Sequence, residues 1–130
     1  SIILEIPLTP FLIHRIDSSM SDLDETAACL EALGNPTRLA MFRLLVRAGD
    51  AGKSVGEIQA SLSIPASTLS HHLKHLELVG LVSRHREGTT HTCRADYDTM
   101  NWLLTFLTEE CCADSSTRPK VPHRAHKLSA

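Results

Sequence analysis

Between Ser54 and Arg94 the chain carries two short helical patterns and then two alternating segments hinged at a glycine, an order that leaves few folds open. Ser54-Val55-Gly56-Glu57 has the S-x-x-E form, in which hydroxyl and carboxylate reciprocally satisfy free N–H groups at a helix start. Val55, Ile58 and Leu62 then point inward. Pro65 opens the next helix, where Leu69, Leu73 and Leu76 form a narrow apolar stripe and Gly80 is the stop. Residues 81–87 and 89–95, hinged at Gly88, alternate as a two-stranded ribbon with polar residues on its exposed face.

The flanking segments add helices. Ser21 caps a helix over 22–33, with Asp24 and Glu25 in its first turn, an apolar stripe of Leu23, Ala27, Leu30 and Leu33, and Gly34 at its end. Asn35-Pro36 starts another, striped by Leu39, Phe42, Leu45 and Val46 and stopped by Gly49 and Gly52. After Asp98 the residues Met100, Trp102, Leu103, Leu104, Phe106 and Leu107 make a helix apolar over most of its circumference. A small domain cannot cover all of that alone, so a second copy is expected to.

A length of 130 residues with 42% hydrophobic content fits one domain with a modest core. The division expected is a leader or cloning-derived segment at 1–20, a folded domain at 21–114 and a disordered basic tail at 115–130. The apolar opening is interrupted by Glu5, Pro7 and Pro10 and is too short to span a bilayer, so no membrane partner is expected. Cys29, Cys93, Cys111 and Cys112 lack the spacing of a secreted disulfide framework; the expectation is a cytoplasmic protein with reduced thiols.

The net charge of −2 is no mark of nucleic-acid binding, but its distribution is uneven. From Ser67 to Arg94 four bases (Lys74, Arg84, Arg86, Arg94) face two acids (Glu77, Glu87), with five histidines interleaved. With Leu69, Leu73 and Leu76 buried, a rotation of about 100° per residue puts Ser67, His71 and Lys74 opposite, flanked by Thr68, Ser70 and His75. A helix fits the major groove, where base edges carry sequence information and phosphates only hold register. Ser67, Thr68, Ser70 and His71 are therefore candidates for base contact. Lys74 and His72 are candidates for phosphate contact or support, and Arg84 and Arg86, on one ribbon face, for a flanking phosphate or the minor groove. A solvated polar helix face is the plainer reading of the composition alone.

Helix, short turn, helix and basic ribbon in that order make a winged helix-turn-helix, mainly α with a β-hairpin wing. In LGNPTRLAMFRLLV (33–46), VGEIQASLSIPASTLSHHLKHLELVGLV (55–82) and SRHREGTTHTCRAD (83–96) the chain resembles the ArsR/SmtB family of bacterial repressors. The resemblance spans about residues 22–112. It implies a homodimer formed by the first and last helices, two recognition helices in successive major grooves, and an operator with half-sites about one turn apart. It also implies transcription repression relieved by a metal or metalloid.

The familiar arsenic motif of that family, ELCVCDL, corresponds here to Glu57-Ile58-Gln59-Ala60-Ser61-Leu62-Ser63, with Gln59 and Ser61 in place of its thiols. The Asp and His zinc set found elsewhere on the last helix is not apparent in DTMNWLLTFLTEE. What remains is Glu110-Cys111-Cys112, which is similar to the subgroup whose arsenic thiols lie at the C-terminal helix. Adjacent cysteines on consecutive helix positions, about 100° apart, cannot both face one core, so at least one is exposed or at an interface. Thiols suit soft ions, and trivalent arsenic or antimony prefers a three-sulfur pyramid to the tetrahedral cage of zinc.

Cys29, from either subunit, is the first candidate for a third sulfur; a small-molecule thiol, or a mono-organic arsenical needing only two, stands equally open. Cys93 reads as core. His123 and His126 have a spacing one residue short of the usual zinc range. Two other readings of the fold are a thiol redox or persulfide-responsive repressor and a winged-helix protein-interaction module. With no C-x-x-C, nucleophile elbow, P-loop or cysteine beside a sequence-evident base, an enzyme is not expected, nor is a required cofactor.

Overall fold

The computed structural model describes residues 21–116; the expected leader (1–20), most of the expected basic tail and the His123/His126 pair lie outside the described residues. The elements are α1 (Asp22–Leu33), α2 (Pro36–Ala48), a 3-10 turn (Gly49–Ala51), β1 (Lys53–Ser54), α3 (Val55–Leu62), α4 (Ala66–Leu78), β2 (Val82–Glu87), β3 (Thr90–Ala95) and α5 (Tyr97–Thr108).

Local chemistry sets most boundaries. Ser21 accepts from the Asp24 N–H at the start of α1. Asn35 Oδ1 accepts from the N–H groups of Thr37 and Arg38, both at 3.0 Å, and Pro36 takes the first helical position, where no N–H is needed. The reciprocal pair at Ser54 and Glu57 caps α3 as its S-x-x-E pattern predicts. Ser63, left-handed at φ 51°, ends α3 and donates to the Gln59 carbonyl at 2.8 Å, after which Pro65 leads into α4.

The wing is a three-stranded antiparallel sheet in the order β1-β3-β2, where the sequence predicted two strands. β1 is only two residues long, pairing Lys53 with Cys93 and Ser54 with Thr92, too short to give an alternation signal. Gly52 lets it approach: at φ 67° it lies so close to β3 that a Cβ would sit 2.4 Å from the Cys93 carbonyl oxygen. Arg94 fastens the same corner by donating to the Asp50 carbonyl at 2.6 Å.

Met41, Leu45, Ile58, Leu69, Leu73, Leu76, Leu81, Cys29 and Cys93 are fully buried where the helices meet the sheet. Each large aliphatic contributes about 1.5–3 kcal/mol through water exclusion. Tyr97 donates its hydroxyl to the Val46 carbonyl at 3.1 Å and pins α5 to α2.

Two expected stripes differ. On α1 the buried side chains are Glu25, Thr26, Cys29 and Ala32, while Leu23 and Leu30 face outward. On α2 Met41 joins Phe42 and Leu45 inside, together with Arg38, and Leu39 is exposed. Leu23 and Leu30 of α1 point away from the core of their own chain, whereas Leu33 packs against it beside the smaller Cys29 and Ala32.

Candidate nucleic-acid interface and thiol pair

α3 and α4 form the helix-turn-helix, joined by Ser63-Ile64-Pro65. Burial of Leu69, Leu73 and Leu76 against the core fixes the rotation of α4 and leaves Ser67, Ser70, His71 and Lys74 exposed along one face; Thr68 and His72 are half-buried beside them. From Ser67 to Lys74 this face runs about 10 Å along the helix. All six predicted residues of α4 thus lie on or beside a single surface, with the hydroxyls towards the N-terminal end.

His72 stands apart. Its Nδ1 is 3.5 Å from an Arg38 guanidinium nitrogen. Partial burial, followed by the positive charge of Arg38 and then His71 and His75, pushes its pKa below the ordinary histidine value. It serves as a joint between α2 and α4 more than as an open hand for phosphate. Arg38, which sequence reading passed over, is buried and donates its Nε–H to the Ala32 carbonyl at 2.6 Å, with Glu31 Oε1 3.7 Å from its NH2 group. Nothing local marks that arginine as buried, because its partners lie on α1 and α4.

The wing arginines do share a face, as alternation predicts. The pairings Val82 to Ala95, Arg84 to Cys93 and Arg86 to His91 put both on the side of the sheet that faces the helices. Arg84 Nε is 2.7 Å from Glu77 Oε1, so the arginine ties the wing to the C-terminal part of α4 and a DNA phosphate would have to compete with that carboxylate. Arg86 Nε donates to the Gly88 carbonyl at 3.0 Å, near the wing tip. A cavity of about 290 Å3 opens between the first turn of α3 and the wing turn, lined by Ser54, Val55, Gly56, Thr89, Thr90 and His91.

At the other end of the chain, α5 stops at Thr108 and a run of turns follows, with the Cys111 N–H on the Thr108 carbonyl and the Ala113 N–H on that of Glu110. The cysteine pair therefore lies beyond the helix, not on two consecutive helical positions. Cys112 is left-handed at φ 62°, and its Sγ comes within 3.4 Å of Cys111 Sγ. Cys111 is exposed and Cys112 half-buried. The hydrogen bond shared with Cys111 holds the Cys112 thiol above its ordinary pKa.

The other two cysteines are core. Cys29 Sγ donates to the Val79 carbonyl at 3.5 Å, and burial, followed by the nearby Glu25 carboxylate, pushes its pKa to about 11. Cys93 is fully buried, and burial raises its pKa as well. Among the described residues no three His, Cys, Asp or Glu side chains gather as a metal-holding group, so Cys29 does not complete a set with the exposed pair within one chain. Among the same residues no helix is long and apolar enough to cross a membrane.

Helix-turn-helix plus a basic three-stranded wing defines a class, the winged-helix DNA-binding proteins, and comparison with known proteins narrows it. A family described as a helix-turn-helix domain matches residues 33–85. An uncharacterized HTH-type transcriptional regulator of Methanocaldococcus jannaschii is 37% identical over 70 residues, which are 54% of this chain and 76% of that one. The transcriptional repressor SdpR of Bacillus subtilis is 31% identical over 59% of this chain and 87% of its own. A putative arsenical resistance operon repressor of Halobacterium salinarum is 37% identical over 46% of this chain and half of its own.

Among solved structures, an ArsR family transcriptional regulator superposes with a TM-score of 0.63 at 22% identity, over 75% of this chain and 97% of the other, which bears on the fold. A homodimeric winged helix-turn-helix domain of Mycobacterium bovis, described as a possible ArsR-family regulator, superposes at 0.57 with 28% identity over 73% and 88%. The chain belongs to the ArsR family of winged helix-turn-helix transcriptional regulators.

Proposed function

We propose that this regulator is a cytoplasmic homodimeric repressor that holds operator DNA through α4 and the wing, and lets go when trivalent arsenic or antimony binds Cys111 and Cys112. The observation that carries the effector is the 3.4 Å separation of two accessible thiols, which places both sulfurs within reach of one soft atom. The arsenical name of the Halobacterium salinarum relative points the same way. Each As–OH group leaves as water with one thiol proton, so two As–S bonds form and no oxidant is needed. With Cys29 buried, a third sulfur comes most simply from a small-molecule thiol, or is not required when the arsenic carries an organic substituent.

DNA contact divides by position. Ser67, Thr68, Ser70 and His71 meet base edges, Lys74, Arg84 and Arg86 meet phosphates, and His72 supports the helix from behind. The exposed Leu23, Leu30, Leu104 and Leu107 on α1 and α5 supply the dimer face, and the Mycobacterium bovis neighbour is a homodimer. Two α4 helices then address half-sites about one turn apart. Effector binding needs to favour the off-operator arrangement by only about 1–3 kcal/mol to act as a switch.

The test is operator binding during titration with arsenite and with phenylarsine oxide. Wild-type protein is expected to release DNA; Cys111→Ser with Cys112→Ser is expected to bind DNA normally and stay bound. Release that persists in the double variant rejects the site. In parallel, Arg84→Ala is expected to weaken binding to all sequences and reduce its salt dependence, whereas Ser67→Ala relaxes sequence choice. The same thiol spacing favours a second reading, in which an oxidant joins the pair as a disulfide. Mass loss of two hydrogens together with reversible loss of DNA binding would mark that route.

A further inference from the structure

Arg43 and Arg47 belong to neither the DNA face nor the thiol pair. They stand one turn apart on the outer side of α2, exposed, and neither has a hydrogen bond or ion pair to any other described residue. With Ala40 and Leu44 of the same helix, and Ser61 and Leu62 from the end of α3, they line a cavity of about 260 Å3. Two guanidinium groups, a serine hydroxyl and the apolar side chains of Leu44, Leu62 and Ala40 make this lining amphipathic.

Like charges at i and i+4 repel each other on a helix, so a shared counter-ion is favoured at this position. Arginine forks match the planar, paired oxygens of a carboxylate or a phosphate, and Ser61 has a hydroxyl hydrogen to give to the same group. The partial negative charge at the carboxyl end of α3 is small against two full positive charges. Leu44 and Leu62 leave an apolar wall that a bare inorganic ion would not use. The volume is below that of most drug-sized pockets, which limits the guest to a small molecule.

We propose that this recess between α2 and α3 is a binding site for a small organic oxyanion, with its carboxylate or phosphate held by Arg43, Arg47 and Ser61 and its apolar part against Leu44 and Leu62. Because one wall is the helix carrying the buried Met41 and Leu45 and the other is the first helix of the DNA-binding pair, an occupant clamps the helix-turn-helix onto the core. The site is separate from the cysteine pair, and its occupancy does not depend on arsenic.

Phenyl phosphate, benzoate and inorganic phosphate are titrated into the full chain while the arginine Nε–Hε resonances and the backbone amides of Leu44, Ser61 and Leu62 are followed by NMR. Saturable shifts of both sets of resonances with phenyl phosphate, at least tenfold weaker with inorganic phosphate, are expected, and the amide shifts of Leu44, Ser61 and Leu62 should be abolished in Arg43→Gln with Arg47→Gln. Ser61→Ala should weaken binding several-fold while leaving the spectrum of the free protein otherwise unchanged. Absence of saturation, or equal amide shifts in the double variant, overturns the site. So does a double variant whose only defect is weaker, less salt-dependent DNA binding, since that would assign the arginines to the duplex.

Discussion

Glu31 Oε2 lies 2.9 Å from His75 Nε2, so one side chain of α1 reaches directly onto the recognition helix. The other carboxylate oxygen is 3.7 Å from Arg38, which holds the α1 carbonyl of Ala32 and abuts His72. α1 also presents Leu23 and Leu30 to the outside, so a helix suited to touch a partner subunit is wired to α4 through Glu31 and Arg38. Exposed pairs contribute little to stability, about 0.2–1 kcal/mol. Glu31→Ala is accordingly expected to unfold near the wild-type temperature but to shrink the ratio of operator affinities measured without and with arsenite. A ratio identical to wild type would place the coupling on another path.

The proton economy of the Arg38–His72 contact has a definite sign. Burial and then Arg38, His71 and His75 depress the His72 pKa below 6.5 in the folded chain, so the unfolded chain takes up the proton first as pH falls. The contribution of His72 to stability is therefore present above about pH 6.5 and is lost as the pH falls from there through the folded-state value. Urea midpoints at pH 7.5 and 5.5 should differ, and His72→Gln should narrow the gap. An unchanged gap would assign the acid loss to other groups.

The caps at Ser21, Asn35 and Ser54 are local, each decided within four residues, and the helix starts they predict match the structure to within a residue. The rotation of α4 was equally legible, because Leu69, Leu73 and Leu76 are apolar and also buried by their own chain. Leu23 and Leu30 broke that rule: periodicity reports a face that prefers to leave water, not which partner covers it. Non-local geometry was out of reach, as with β1, the burial of Arg38, and the left-handed Cys112 that brings two sulfurs together beyond the end of α5.

Gly49 and Gly52 give a matched pair for testing how the wing is seated. Both have φ 67°, with ψ −154° and −166°, a region that is essentially glycine's alone. A Cβ on Gly49 meets nothing within 4 Å, whereas one on Gly52 would fall 2.4 Å from the Cys93 carbonyl oxygen. Gly49→Ala is expected to cost about 1–3 kcal/mol from backbone strain. Gly52→Ala should cost roughly 1–3 kcal/mol more, as overpacking does, because β1 must move off β3. Equal denaturation midpoints for the two variants would contradict the close approach.

Leu104 and Leu107, each 54% exposed, extend from α5 an apolar surface to which α1 adds Leu23 and Leu30. Covering a leucine fully is worth about 1.5–3 kcal/mol, and a two-fold interface counts every substitution twice. Leu104→Lys with Leu107→Lys removes no side chain from the core of one chain, so the circular dichroism spectrum should stay that of the wild type. Sedimentation should then show a monomer at concentrations where the wild type is a dimer. Operator affinity should collapse towards that for random DNA, since one α4 reads only one half-site. A double variant that still sediments as a dimer would move the interface off this leucine surface, and with it the route proposed from Cys111 and Cys112 to α4.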